Sequence, residues 1–180
     1  MNISILNKLC RVLLFVGISS LLFLFYKNKT NGAFYLDYLS VYGYFISLSI
    51  GATFLILLMN LTRAGWGVVI KRVPEHIMSL LPIYALLFIP ILFGLDFIFE
   101  WLDPSHIEHD PLIQQKLPYL NLPFFVIRNI IYFIVFSVIS TYYWKNSIRQ
   151  DNSNKEEALV IAKNLQRRSP ISILLMSLIT

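Results

Sequence analysis

Four long apolar runs constrain the fold of this chain more than any other feature. They lie at about residues 9–26, 38–61, 77–99 and 122–144 of the 180. The length of each run is close to the roughly 20 residues that an α-helix needs to cross a bilayer. The runs are continuously apolar rather than alternating, which argues against membrane-spanning strands. With 57% hydrophobic and 14% charged residues, the sequence predicts an all-α, polytopic transmembrane helix bundle that forms a single membrane domain over residues 1–180.

The two ends of the chain each need a separate interpretation. Lys8 and Arg11 precede the apolar core of the first run, but no small-residue cleavage pattern follows, so we interpret this run as a retained helix rather than a signal peptide. Residues 170–180 are apolar but would span only about 16 Å as a helix. We therefore predict four full spans and a fifth that begins at residue 170 and is cut off, either by truncation or because the chain is part of a longer protein. Residues 145–169 are predicted to be a cytoplasmic connecting segment with a short surface helix.

Lysine and arginine are unevenly shared between the predicted loops. Eleven lie on the side of the N-terminus and three on the other side, while Arg128 falls inside a helix. Because cytoplasmic loops carry an excess of basic residues, this distribution predicts that the N-terminus lies in the cytoplasm. The net charge of +5 is then explained by anchoring to the lipid bilayer, and no nucleic-acid partner is predicted.

Glu75 and His76 are candidate site residues because they stand at the start of the third apolar run, directly after Pro74. Ionisable groups at a membrane helix end must be hydrated, paired with another group or involved in function. One interpretation is structural, with Glu75 complementing the positive end of the helix dipole and His76 lying at the interface. The other makes Glu75 the cytoplasmic mouth of a proton path, with His76 able to exchange protons near neutral pH. The residues alone leave both open.

Two further charges, Asp96 and Arg128, fall inside apolar runs and complete the candidate proton path. They lie near the outer ends of consecutive, antiparallel helices, so the sequence predicts that they pair. The alternative is a carboxylate on the exit side of a proton route or near a quinone headgroup. Between Glu75 and Asp96, Pro82 and Pro90 each remove a backbone hydrogen bond, which predicts a helix with two kinks.

No metal or cofactor site is predicted in this chain. Cys10 is the only cysteine, so the sequence contains neither a CxxC metal pair nor a CxxCH haem-attachment motif. The HIEHD stretch at residues 106–110 superficially suggests a metal site, but it lacks the one-face geometry of HExxH. We interpret it as an acidic outer loop that docks against a partner.

Several stretches carry a resemblance to a known family. GWGVVIKRVPEHIMSLLPIYALLFIPILFGL and HDPLIQQKLPYLNLPFFVIRNIIYF, followed by WKNSIRQD and LQRRSP, resemble the F-type membrane subunit of bacterial alternative complex III. This subunit is also described as quinone-binding subunit 2 of quinol:cytochrome c oxidoreductase, within the polysulfide-reductase-like membrane family. The resemblance covers residues of about 63–169, and its two most specific motifs are LPIYALLFIPILFGL (81–95) and YLNLPFFVIR (119–128).

The resemblance implies a noncatalytic subunit of a respiratory electron-transport complex that oxidises membrane quinol. Its partners would be other membrane subunits, iron–sulfur subunits and a cytochrome c subunit, while the chain itself would bind no cofactor. The resemblance leaves open whether a quinone lies close to the chain and whether protons are translocated through it. By position, Glu75 matches the acid at the start of the family's LP-containing helix, and Arg128 matches the arginine after the LPFF-like turn. The second half of the family's bundle is missing from this sequence.

Two alternatives belong to other functional classes. Half of a secondary transporter would also be a helix bundle with interrupted helices, although no Gly-rich unwound segment accompanies the prolines here. A truncated, nonfunctional remnant would carry the same motifs without assembling.

Overall fold

The computed structural model describes residues 3–28, 32–102, 119 and 121–179. All regular secondary structure among these residues is helical, which confirms the all-α prediction. The α-helices are α1 (Ile3–Lys27), α2 (Gly32–Leu61), α3 (Arg72–Met78), α4 (Leu81–Leu87), α5 (Ile89–Leu92), α6 (Leu95–Ile98), α7 (Leu122–Asp151) and α8 (Lys155–Ile179). Short 3₁₀ helices lie at Gly65–Val68 and Glu100–Leu102. We call α3 to α6, residues 72–98, the broken span.

Four helical stretches are long and apolar enough to cross a membrane, as predicted. They are Asn7–Lys27, Gly32–Leu61, Arg72–Leu92 and Leu122–Asp151. The fold therefore agrees with a multi-pass membrane protein.

The broken span is interrupted next to both of its internal prolines. Pro82 is the second residue of α4 and Pro90 the second residue of α5, positions at which the missing proline N–H would have no intrahelical partner anyway. The residues between the helices, such as Ser79 and Phe88, keep right-handed helical backbone angles. The two predicted kinks are thus present, and a third interruption follows at Gly94, so that the predicted single helix over 77–99 is four short helices.

Three hydroxyl groups on α2 compensate for these interruptions. Tyr38 donates to the carbonyl oxygen of Leu87 at 2.7 Å. Tyr42 donates to the carbonyl of Tyr84 at 3.1 Å, and Ser49 donates to that of Ile77 at 3.1 Å. Positions 38, 42 and 49 share one face of a helix, because steps of 4 and 11 residues are close to whole numbers of turns. The hydroxyls therefore join α2 to the broken span close to its interruptions.

Removing these three hydroxyls should weaken the packing of α2 on the broken span. We expect the triple variant Tyr38→Phe, Tyr42→Phe, Ser49→Ala to lose about 2 kcal/mol of unfolding free energy, since hydrogen bonds between membrane helices average about 0.6 kcal/mol each. The measurement is SDS-induced unfolding of the purified chain, followed by circular dichroism.

A matched control removes three other hydroxyls from α2. Tyr44 is exposed, and Ser40 and Ser47 donate within α2 itself, to Leu36 and Tyr44. The variant Tyr44→Phe, Ser40→Ala, Ser47→Ala should unfold like the parent chain. An equal loss in both triple variants would contradict a bridging role for the first set.

The last two helices form a hairpin whose boundaries differ from the prediction. Asn121 caps α7 by accepting a hydrogen bond from the backbone N–H of Phe124 at 2.9 Å. α7 continues to Asp151 instead of stopping near 144, and α8 starts at Lys155 instead of residue 170. Residues 145–169, predicted as a connecting segment, are therefore almost wholly helical.

Pro170 lies inside α8 rather than at the start of a new helix. The buried residues Ile161, Leu165, Ser169 and Met176 follow one another at intervals of four and seven, so one buried face continues through the proline. The hydroxyl of Tyr143 on α7 donates to the carbonyl of Leu165 at 3.2 Å. This continuous packing keeps the helix intact in spite of the lost backbone donor.

α1 has little contact with the other helices. Its apolar stretch contains no buried residue. Phe25, near its end, contacts other helices, with its ring 6.4, 6.2 and 6.0 Å from the rings of Phe34, Tyr35 and Phe93. The core instead lies between α2, the broken span, α7 and α8, and includes Leu57, Met78, Leu81, Tyr143 and Leu165.

Candidate functional site

Glu75 is the most deeply buried ionisable side chain that sequence analysis singled out. It lies in the first turns of α3, and only 1% of its side chain is exposed. Its carboxylate reaches α7, where the hydroxyl of Ser147 donates to Oε1 at 2.5 Å. The acid therefore connects the start of the broken span to the end of α7.

Two basic residues of the same helix turn neutralise the Glu75 carboxylate. Lys71 Nζ lies 3.4 Å from Oε1, and Arg72 donates to Oε2 at 3.0 Å. Arg72 also forms an ion pair with Asp151 of α7 and lies 3.4 Å from the hydroxyl of Ser147. We call Lys71, Arg72, Glu75, Ser147 and Asp151 the Glu75 cluster.

The Glu75 cluster holds two cations and two carboxylates, so its formal charges cancel. Desolvation of a buried charge is unfavourable unless the charge is paired and hydrogen-bonded, and both conditions are met for Glu75. Every buried side-chain nitrogen or oxygen among the described residues has a hydrogen-bond partner. Arg72 is 44% exposed, so the cluster is closed towards the bundle and open towards the helix ends.

His76 is adjacent to Glu75 in sequence but does not join the cluster. Its side chain is exposed, and its Nδ1 lies 2.7 Å from the carbonyl oxygen of Arg72, which can accept a hydrogen bond when Nδ1 carries a proton. The structure therefore brings Glu75 together with basic and hydroxyl groups rather than with the predicted histidine.

The predicted pair between Asp96 and Arg128 does not form. Asp96 is exposed, and the ion pairs among the described residues do not include it. The guanidinium of Arg128 instead lies over aromatic rings, 4.7 Å from the ring centre of Tyr119 and 5.7 and 6.0 Å from those of Phe124 and Phe125. The nearest ring belongs to Tyr119, which precedes α7, and Phe124 and Phe125 lie one turn back on the same helix, so cation–π contacts take the place of the predicted ion pair.

Stability should therefore depend on Arg128 and not on Asp96. We expect Arg128→Gln to lower the unfolding free energy by about 1 kcal/mol through loss of the cation–π contacts. Asp96→Asn should change it by less than about 0.5 kcal/mol, as expected of an exposed residue. Unfolding of both variants by SDS tests this, with Arg149→Gln on the exposed part of α7 as the control. A large effect of Asp96→Asn would restore the pairing hypothesis.

Metal-binding geometry is absent from the described part of the chain, where no three His, Cys, Asp or Glu residues come together. The HIEHD stretch at 106–110 lies outside the described residues, so its interpretation stays a prediction.

The partners of Glu75 were not predicted from the sequence. Lys71 and Arg72 precede it by four and three residues, the spacing of ion pairs on a helix, and this signal was available. Ser147 and Asp151 are also one turn apart, yet nothing in their spacing indicates which helix they face. They were identifiable only from the packing of α3 against α7.

No model of a known protein family matches this chain, and no curated protein matches it closely enough to count as a relative.

Proposed function

We propose that this chain is an integral membrane subunit of a quinol-oxidising respiratory complex of the alternative complex III type, in which its role is structural. The observation that carries the proposal is the packing of the two motifs on which the resemblance rests. Phe88 of the first motif lies 6.4 Å, ring centre to ring centre, from Phe125 of the second. Phe99, four residues beyond the first motif, lies 5.3 Å from the same ring. Motifs that are 24 residues apart in sequence thus form one aromatic unit.

The structural role is supported by the contacts of Glu75. Two cations and a hydroxyl fix its carboxylate between α3 and α7. Between Glu75 and Asp96, the hydroxyls of Tyr38, Tyr42 and Ser49 donate to backbone carbonyls. These groups hold helices together. The contacts of Glu75 therefore support a structural role more strongly than a proton path.

The same contacts argue against a transporter half. In transporters with broken helices, unwound backbone carbonyls coordinate the substrate or ion. In this chain the carbonyls of Ile77, Tyr84 and Leu87 each already accept a hydroxyl from α2. They therefore have less capacity to bind a transported ion.

The proposed orientation places the N-terminus in the cytoplasm of a bacterium, at the inner membrane. Arg63 contacts Gln166 of α8, and Arg72 contacts Asp151 of α7, so the basic loop 62–71 and the basic segment around the α7–α8 turn lie at one end of the bundle. The excess of lysine and arginine at this end supports its assignment to the cytoplasmic side.

Affinity purification from the native membrane tests the proposal. A tagged chain, solubilised in mild detergent from the organism that encodes it, should bring with it an iron–sulfur subunit, a multihaem cytochrome c subunit and quinol:cytochrome c reductase activity. Mass spectrometry identifies the subunits, and an untagged strain processed in the same way is the control. Deleting the gene should abolish the activity, and the tagged copy should restore it.

Two results would contradict the proposal. One is a tagged chain that purifies alone or with a transporter subunit, without haem. The other is a deletion strain whose membranes keep full quinol:cytochrome c reductase activity.

A further inference from the structure

A basic pocket lies at the end of the bundle where α2 stops. It has a volume of about 370 Å³ and is enclosed by the last turn of α2, the loop that follows it and the first half of α8. The side chains that matter most are Met59, Arg63, Lys71, Leu159, Lys163 and Gln166. The pocket and the Glu75 cluster share one residue, Lys71.

The charges of this pocket are not balanced by the residues around it. Its lining contains three cations and no carboxylate. Lys71 is paired with Glu75, within a cluster whose charges cancel. Arg63 and Lys163 remain, and the ion pairs among the described residues include neither of them. The pocket therefore carries a local excess of positive charge that suits an anion.

Arg63 is held in place by two features of the structure. Its φ angle of 52° is left-handed, a conformation that is uncommon for a residue with a Cβ. Its Nε donates to Oε1 of Gln166 at 2.7 Å, and this hydrogen bond joins the loop to α8. The two terminal NH2 groups of the guanidinium, Nη1 and Nη2, have no described hydrogen bond. A guanidinium fixed at its Nε is suited to bind a phosphate through its remaining donors.

The other part of the lining is apolar and meets the predicted bilayer surface. Met59 and Leu159 line the pocket, and Leu159 is 63% exposed. α2 ends at Leu61, only two residues before Arg63, so the basic groups stand at the boundary of a helix long enough to span a membrane. A ligand that fits is anionic at one end and apolar at the other.

We propose that this pocket binds the phosphodiester headgroup of an anionic phospholipid, with Arg63 and Lys163 contacting the phosphate and the apolar part of the lipid meeting Met59 and Leu159. Basic pockets between membrane helices on the cytoplasmic side are typical sites for anionic headgroups. The assignment depends on the membrane character of the chain and not on its membership of a respiratory complex.

Native mass spectrometry of the full chain in mixed micelles tests this assignment. The probe is palmitoyl-oleoyl phosphatidylglycerol, titrated into detergent, and the readout is the fraction of protein that retains one lipid. We expect Arg63→Gln with Lys163→Gln to weaken retention about thirtyfold, since each basic side chain near anionic lipid contributes about a factor of five. Phosphatidylcholine should be retained weakly by the parent chain and unchanged by the variant.

A matched control separates a site from general surface charge. Arg149 and Lys155 are exposed residues near the α7–α8 turn and lie outside the pocket. Arg149→Gln with Lys155→Gln removes the same charges and should leave phosphatidylglycerol retention within about twofold. Equal losses in both double variants would overturn the proposal.

Two further measurements keep the result interpretable. Lys163→Gln alone changes only an exposed side chain, so it should keep the parent's unfolding midpoint and still lose about fivefold in retention. Inorganic phosphate at millimolar concentration should fail to displace the lipid. Displacement by phosphate alone would identify a site for free phosphate, and unchanged retention in Lys163→Gln would exclude the pocket as a lipid site.

Discussion

Replacement of Gly94 by alanine is expected to destabilise the chain strongly. A Cβ at this position would lie 2.7 Å from Cε1 of Tyr35 and closer still to Cδ1 and Cγ of the same ring. Tyr35 is 1% exposed and stacks on Phe97, with ring centres 5.6 Å apart. Because the ring cannot move without displacing its neighbours, we expect a loss of about 3 kcal/mol or more in unfolding free energy, the upper range for overpacked cores. Fluorescence-detected size-exclusion chromatography after heating measures this loss.

The chain offers a control and a rescue for the Gly94 variant. Gly51 and Gly43, both on α2, would place a Cβ in open space, so Gly51→Ala and Gly43→Ala should leave the unfolding temperature unchanged or raise it slightly. Tyr35→Ala should make room for the new methyl group, so adding Gly94→Ala to Tyr35→Ala should have little further effect. Independent, additive losses would show that Gly94 acts through its backbone rather than through the close approach of Tyr35.

The contact between Gly94 and Tyr35 is an example of a tertiary contact that could not be predicted from the sequence. Composition and continuous apolar runs predicted the helices, since a membrane leaves few other ways to satisfy the backbone. Pro82 and Pro90 located two of the interruptions, since proline acts locally on its own helix. Gly94, in contrast, makes a close contact with a residue of another helix. Its partner is 59 positions earlier in the chain, and hydropathy does not reveal which helices are neighbours.

Polar residues were predicted less well than apolar ones, for a related physical reason. The charge of Glu75 and its place near a helix start were evident from sequence, but the meaning of that charge depended on Ser147 and Asp151, which are supplied by α7. Arg128 and Asp96 were predicted to pair because their charges are opposite, but an aromatic ring contacts the guanidinium of Arg128 instead. Pro170 was interpreted as a helix start, whereas packing of α8 along Tyr143 carries the helix through it. In each case a tertiary contact decided between local alternatives.

Removal of the Glu75 side chain is expected to have the second large effect on stability. Glu75→Ala would leave Ser147 without its acceptor and Lys71 without its counter-ion, while Arg72 would keep Asp151. Loss of one partner from a fully buried pair costs about 3–5 kcal/mol, but Arg72 is 44% exposed and can turn to water, so we expect about 2–3 kcal/mol here. SDS-induced unfolding measures the change, and Asp96→Asn, which removes an exposed carboxylate from the same broken span, is the control.

Glu75→Gln separates the structural role of this residue from a proton path. Glutamine keeps an acceptor for Ser147 but removes the charge that Lys71 and Arg72 neutralise, so it should lose about half as much stability as alanine. Ser147→Ala should be strongly non-additive with Glu75→Ala, with a coupling of about 1 kcal/mol, because both substitutions break the same hydrogen bond. If the carboxylate only joins α3 to α7, complexes that contain Glu75→Gln and assemble fully will oxidise quinol and take up protons at the parent rate. Full assembly with lost proton uptake would instead place Glu75 in a proton path and contradict the structural assignment.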